Sequence, residues 1–209
     1  MTSVEAPNPA AGSKPAQILE AAGRLFLENG YGAVSMDAVA RTANVSKATL
    51  YAHFRSKDEL FAAMIACECR NQMGALSCEE VSRMDAADAL RMIGRRYLGL
   101  ILSGKALAAY RVVVAEAHRF PELARAFYES GPARSHAQMV AFLRDAERRG
   151  ALRVPDPDLA AEQFFGLLKG NTHTCVVLGI GAGPSAETLD RLVDGAVSLF
   201  VRAYAAEGT

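Results

Sequence analysis

Residues 36–51 read MDAVARTANVSKATLY, and the spacing of small, apolar and turn-forming residues in this stretch predicts two short helices in steep contact. Ser35 and Ser46 each stand directly before a helical run, where a serine hydroxyl accepts one of the free N–H groups of the first turn. The first helix is expected from Ser35 to Ala43 and the second from Ser46 to about His53. Between them the chain must reverse within a few residues, which calls for a positive φ, and Asn44 tolerates that conformation better than other non-glycine residues. Ala40 falls where the helices cross and only a small side chain fits. Val45 and Leu50 point back at the first helix, closing a small core with Val39, Leu25 and Phe54. This is the layout of a helix-turn-helix, whose second helix can enter the major groove of DNA.

The pattern continues outward on both sides. An amphipathic helix is expected from Lys14 to Asn29, capped by Ser13, with Ile18, Leu19, Ala22, Leu25 and Phe26 on one face and Asn29-Gly30 as its stop. A fourth helix starts at Ser56, which with Glu59 has the spacing of a capping box. Further helices are expected at Ala86–Ser103, Leu107–His118, Glu122–Ser130, Ala133–Arg149, Asp158–Leu178 and Ala186–Ala205. Asp156-Pro157 and Ser185 supply two of their starts. Strand signals are nearly absent. The expected fold is all-α: a helix-turn-helix domain over 14–60, a helical body over 61–209 and a disordered tail over 1–13.

Composition fits this reading and narrows it. The chain has 209 residues, of which 51% are hydrophobic, enough for a real core. Lys+Arg and Asp+Glu balance at 23 each, so net charge says nothing about a nucleic-acid partner. Its distribution does, since Ala38 to Lys57 holds no acidic residue while Arg41, Lys47, Arg55 and Lys57 all fall inside. The first twelve residues lack the basic cluster and apolar run of a signal peptide, and Cys175–Ile180 is too short to span a bilayer. A soluble cytoplasmic protein without a membrane partner is expected. Cys67 and Cys69 sit about 200° apart around a helix and cannot clasp one metal together. With Cys78 and Cys175 they read as packing residues, redox sensing by the first three being the alternative.

The exposed surface of the second short helix carries suitable chemistry for DNA. Ser46, Lys47, Thr49 and Tyr51 offer donors, acceptors and one aromatic ring, while His53 and Lys57 lie where a phosphate backbone would pass. The stretch from Ile18 to Met64, above all TLYAHF at 49–54 followed by KDEL at 57–60, resembles the N-terminal domain of the TetR family. It departs from the family pattern at Asn44, where glycine is usual, though asparagine meets the same conformational need. The resemblance implies that Lys47, Thr49 and Tyr51 face the groove, with Ser46 and Ala48 beside them as further DNA-binding candidates. It implies phosphate contacts for Tyr51, His53 and Lys57, and a DNA-facing start of the preceding helix at Met36 and Asp37, with Ser35 before it as a further candidate. Asp37 itself would repel a phosphate.

Arg111 to Gly170, including EAHRFPEL at 116–123 and then Phe127-Tyr128, is similar to the AefR-like C-terminal domain of some TetR regulators. The resemblance implies a homodimer built on the last two helices, for which Phe164, Leu168, Val176, Leu189, Leu192, Val193, Val197, Phe200 and Tyr204 form the candidate interface. A twofold dimer would set two reading helices about one DNA turn, ~34 Å, apart on a palindromic operator. It also implies a pocket for a small lipophilic or aromatic effector, with Tyr97, Tyr110, His118, Phe127, Phe142, Phe165, Asn171 and His173 as candidates. The function expected is that of a repressor released from its operator by such a ligand, controlling an efflux or stress-response operon.

Rival readings are a DNA-binding activator or nucleoid-associated factor without ligand response, and a helical enzyme. The enzyme finds little support. Gly179-Ile180-Gly181-Ala182-Gly183 runs into Pro184 and lies in no βαβ unit, so it is no dinucleotide loop. The sequence holds no G-x-S-x-G, H-E-x-x-H or P-loop. His53, His118, His136 and His173 are scattered without metal-binding spacing. No cofactor, metal or catalytic residue is expected.

Overall fold

The structure is a computed structural model that describes residues 9–10, 12–73 and 84–206. Most of the expected tail, and Cys78, lie outside the described residues. Regular structure among the described residues is helical, apart from one isolated bridge between Leu152 and Ala205. The helices are α1 (Lys14–Asn29), α2 (Met36–Thr42), α3 (Lys47–His53), α4 (Lys57–Met73) and α5 (Ala86–Ile101). They continue with α6 (Gly104–Glu116), α7 (Pro121–Ser130), α8 (Pro132–Arg148), α9 (Pro157–Leu178) and α10 (Ala186–Tyr204). Among these no single helix is long and apolar enough to cross a membrane.

Short polar residues start these helices as the sequence suggests. Ser35 accepts from Ala38 N at 3.2 Å, Ser46 from Thr49 N at 3.0 Å and Ser56 from Glu59 N at 3.1 Å. Glu59 does reach back from the first turn of α4, but to Arg55 N at 2.7 Å, one residue before the cap. Asp156 and Ser185 cap α9 and α10 in the same way. Boundaries shift from expectation by up to three residues. α6 begins at Gly104 rather than Leu107, because Lys105 and Ala106 extend a helix readily. α8 begins at Pro132, whose missing N–H is no loss in a first turn.

Two compact units result. One holds the described residues up to Asn71 together with Gly104–Ala133, so α6 and α7 share a body with α1 to α4. Its core joins Ile18, Phe26, Tyr31, Leu50, Leu60 and Phe61 to Val113 and Leu123. The other holds the described residues of Gln72–Ser103 and Arg134–Thr209, with α10 packed on α5 and α9. There Phe164 meets Phe200 edge-on at 5.2 Å, and Leu90, Leu143, Leu168 and Val193 fill the surrounding space. Arg91–Asp194 at 3.3 Å and Arg95–Asp190 at 2.8 Å link α5 to α10 on the surface. Exposed pairs of this kind add little stability, and burial does most of the work.

One feature of α9 was not visible in its periodicity. Gly170 interrupts the helix with φ +40° and ψ −157°, a conformation open in practice to glycine alone. The helix therefore consists of two segments with a kink between them.

Candidate nucleic-acid interface

The crossing of α2 and α3 is built as its sequence requires. Asn44 has φ +52° and is the one non-glycine residue with positive φ among the described residues. Val45 N then donates to Ala40 O at 3.0 Å across the turn. Val39, Ala40, Leu50 and Phe54 are buried, and Leu25 and Val45 pack partly against them. With Leu50 turned inward, α3 presents Lys47, Ala48, Tyr51, Ala52 and His53 to solvent, with Thr49 half-exposed at their edge. Tyr51 is 48% exposed, an unusual setting for a ring that serves no core.

Several of these side chains are already engaged. Ser35 and Ser46 cap helices, and the Ser46 and Thr49 hydroxyls lie 2.8 Å apart in hydrogen-bond contact. Met36 is half-buried against the core. Lys47 Nζ donates to Asp37 Oδ2 at 2.6 Å, tying α3 to α2 and offsetting the lysine charge. Arg41 and Arg55 are exposed and carry no ion pair among the described residues. The acid-free run contained both, but the resemblance did not single them out.

Lys57 is the largest surprise. Its ammonium donates to Tyr31 O at 2.8 Å and Val34 O at 3.0 Å, and stands 4.3 Å from the centre of the Tyr31 ring. Burial lowers its pKa, against the opposite pull of Asp58 and Glu116. Tyr31 in turn donates to Asp58, and burial first, then that hydrogen bond, pushes its phenol upward. Gly32 N donates to Glu116 Oε2 at 2.9 Å, and Phe120 lies edge-on to Tyr31 at 5.4 Å. A side chain at Gly30 or Gly32 would strike the Glu116 carboxylate, with Cβ at 2.7 or 2.9 Å from an oxygen. The turn before α2 is thus clamped by the start of α4 and the corner between α6 and α7. The sequence shows the two glycines but not what they make room for.

The effector candidates fall into separate groups. Tyr97 and Phe165 are buried with ring centres 4.3 Å apart, Phe142 and His173 are buried in the same unit, and Asn171 is exposed. Burial pushes the Tyr97 phenol up to about 12, and burial and then Lys169 lower the pKa of His173. In the other unit Tyr110 and Phe127 lie 6.2 Å apart, and His118 is exposed. Of the interface candidates, Phe164, Leu168, Val193, Val197 and Phe200 are buried in the protomer's own core. Val176, Leu189, Leu192 and Tyr204 are half-buried, and Tyr204 donates to Gln163 Oε1 at 2.7 Å. The exposed large apolar residues on these two helices are Leu159, Leu167, Leu178 and Leu199.

Comparison with known proteins gives this geometry its family. Residues 18–64 match the family model of bacterial regulatory proteins of the tetR family, and 88–206 match the C-terminal domain of AefR-like transcriptional repressors. The chain belongs to the TetR family. Its helix-turn-helix is that of a DNA-binding transcriptional regulator.

Among solved TetR-family structures it is similar to the flavonoid-responsive regulator FrrA, with 37% identity, TM-score 0.76, and coverage of 95% of this chain and 100% of that one. A TetR-family regulator from Mesorhizobium loti matches at 28% identity and TM-score 0.77, over 92% and 96% of the two chains. Among curated relatives, the HTH-type regulator YhgD of Bacillus subtilis is 54% identical over 44 residues, 21% of this chain and 23% of that protein. The activator FasR of Mycolicibacterium smegmatis is 49% identical over 49 residues, 23% and 22% of the two. The matched stretch spans about a quarter of these curated relatives.

Proposed function

We propose that this TetR regulator represses transcription as a homodimer on a palindromic operator and leaves it when a lipophilic or aromatic small molecule binds. It would act in the cytoplasm, beside the DNA. The observation that carries the DNA-binding half is the solvent-facing side of α3, where Lys47, Ala48, Thr49 and Tyr51 stand clear of the core within an acid-free stretch. In this reading α3, within the domain 14–60, enters the major groove. Ser35, Met36, Ser46 and His53 flank it toward the backbone, joined by Arg41 and Arg55, whose charge is not offset by an ion pair among the described residues. Lys57 contributes mainly by fixing the turn before α2, since two of its three donors are already engaged.

Repression and ligand response draw support from the AefR-like repressor match over 88–206 and from likeness to a flavonoid-responsive relative across nearly the whole chain. A route for coupling lies within one compact unit. Glu116 and Phe120, at the α6–α7 corner, seat the turn that leads into α2, so a shift of that corner would tilt the reading helices.

The test is to map bound DNA in cells and then titrate the purified protein onto a recovered fragment at several salt concentrations. A few palindromic sites beside promoters are expected. Arg41→Ala and Arg55→Ala should each flatten the salt dependence by roughly one unit of slope, and Thr49→Ala should relax sequence preference. Broad genomic coverage, or salt slopes unchanged by both arginine substitutions, would defeat the reading.

A further inference from the structure

Near the end of α4, Arg70 holds part of its charge inside the molecule. Its Nε and Nη1 are buried and have no hydrogen-bond partner among the described residues. A guanidinium stays protonated in a protein, and charged donors buried without acceptors are costly. The helix offers no remedy of its own. The helical positions one turn away, from which a carboxylate would pair with it, are Ala66, Cys67 and Met73. Glu68 lies on a different side of the helix and faces Lys105 at 3.6 Å.

The neighbouring face of α4 is also taken. Ile65 and Cys69 pack against Gly131, where a Cβ would come within 3.3 Å of the isoleucine and 3.4 Å of the sulfur. What shares a side with Arg70 is a row of short residues, Ala63, Ala66 and Cys67, spaced seven, four and three positions before it. Ala66 is buried, and Ala63 and Cys67 pack partly against the unit's core. The feature is therefore an unmet cation at the end of a strip of short, largely covered side chains.

We propose that Arg70 anchors the acidic group of the effector, which is an organic anion with an apolar or aromatic body rather than a neutral lipophile. This rests on the ligand-responsive reading above and specifies its chemistry. An inorganic oxyanion fits poorly, because the strip supplies no second cation and no hydroxyl for its other oxygens. A carboxylate, sulfonate or acidic phenol needs fewer donors, and its apolar body suits the short side chains beside Arg70. Arginine also stacks on flat rings, which favours an aromatic body.

Two fluorescent probes with the same rings test this: 8-anilinonaphthalene-1-sulfonate, an anion, and N-phenyl-1-naphthylamine, which is neutral. Arg70→Met keeps the length of the stem and removes the charge. It should weaken binding of the sulfonate by about tenfold or more while leaving the neutral probe within about twofold, and Arg70→Lys should recover part of the loss. The same substitution should raise the melting temperature of the ligand-free protein by roughly 2–4 °C, since it removes an unmet buried charge. Equal affinity of wild type and Arg70→Met for the sulfonate would overturn the inference, as would a fall in melting temperature, which would make Arg70 a structural residue. If the neutral probe binds and weakens DNA binding while residue 70 is irrelevant to the anion, only this inference fails. If wild type binds neither probe, the ligand-responsive reading fails with it.

Discussion

Lys57 shows how far a residue's chemistry can be read before its surroundings are known. From the sequence it is a cation at the start of a helix in an acid-free run, and phosphate is the natural partner. Its actual acceptors, the carbonyls of Tyr31 and Val34, lie 26 and 23 residues earlier, and no local pattern announces them. Lys57→Met retains the stem over the Tyr31 ring but strips both carbonyls of a donor. It should destabilise the protein by about 1–2 kcal/mol, given partial exposure, and lower DNA affinity chiefly through the disturbed turn. Thermal unfolding beside DNA titration checks this: an unchanged melting temperature with a flattened salt slope would favour the phosphate role instead. Asn44 is the opposite case, legible because its demand is local: a tight turn between two helices needs a positive φ whatever surrounds it. Asp37 lies between the two. The sequence marks it as a charge unwelcome near DNA, and the structure adds its bond to Lys47 at 2.6 Å. Asp37→Asn removes a repulsion and frees a cation at once. It should tighten binding to any duplex severalfold at low salt and steepen the salt slope by roughly one, measured by fluorescence anisotropy. A slope equal to that of wild type would mean that Lys47 faces no phosphate.

At the scale of elements, caps and breakers carry most of the information. Ser35, Ser46, Ser56, Asp156 and Ser185 each hold the first-turn N–H that their position suggests, and helix boundaries fall within a few residues of expectation. The kink in α9 escaped because a lone glycine inside a helix is usually tolerated as a helix and merely costs some stability. At φ +40° and ψ −157° it does more than that, since no L side chain adopts this conformation without strain. A Cβ at Gly170 would meet nothing within 4 Å, so any effect of Gly170→Ala comes from the backbone alone. The substitution is expected to cost about 1–3 kcal/mol in thermal unfolding if the kink is imposed by packing on either side of it. Were the chain to straighten instead, far-ultraviolet circular dichroism would gain helical signal and stability would rise by up to about 1 kcal/mol, and the kink would then be a property of glycine rather than of the fold.

For the whole molecule, the open question is which apolar face serves the protomer and which serves its partner. Periodicity cannot decide this when a helix is apolar on more than one side, as α9 is, because both faces repeat at helical spacing. The stripe read from the sequence, through Phe164, Leu168, Val193, Val197 and Phe200, is buried within a single chain. One notch around the same helices lie Gly166, Leu167, Gly170 and Thr174 on α9, and Gly195 and Leu199 on α10, all exposed. Glycines on such a face let a facing helix approach closely, and the leucines supply apolar area toward the ~1,200–2,000 Å² that a stable pairing buries. If the homodimer forms here, Leu167→Glu combined with Leu199→Glu should yield a monomer by sedimentation, with helical content near that of wild type. Operator affinity should then drop by at least about a hundredfold, since one reading helix would grip one half-site without its partner a turn away. Phe164→Glu should behave differently and unfold the protomer, because it buries a charge within an apolar core. A double variant that stays dimeric and keeps its operator affinity would mean that the second copy docks elsewhere, and that these leucines face solvent in the working protein.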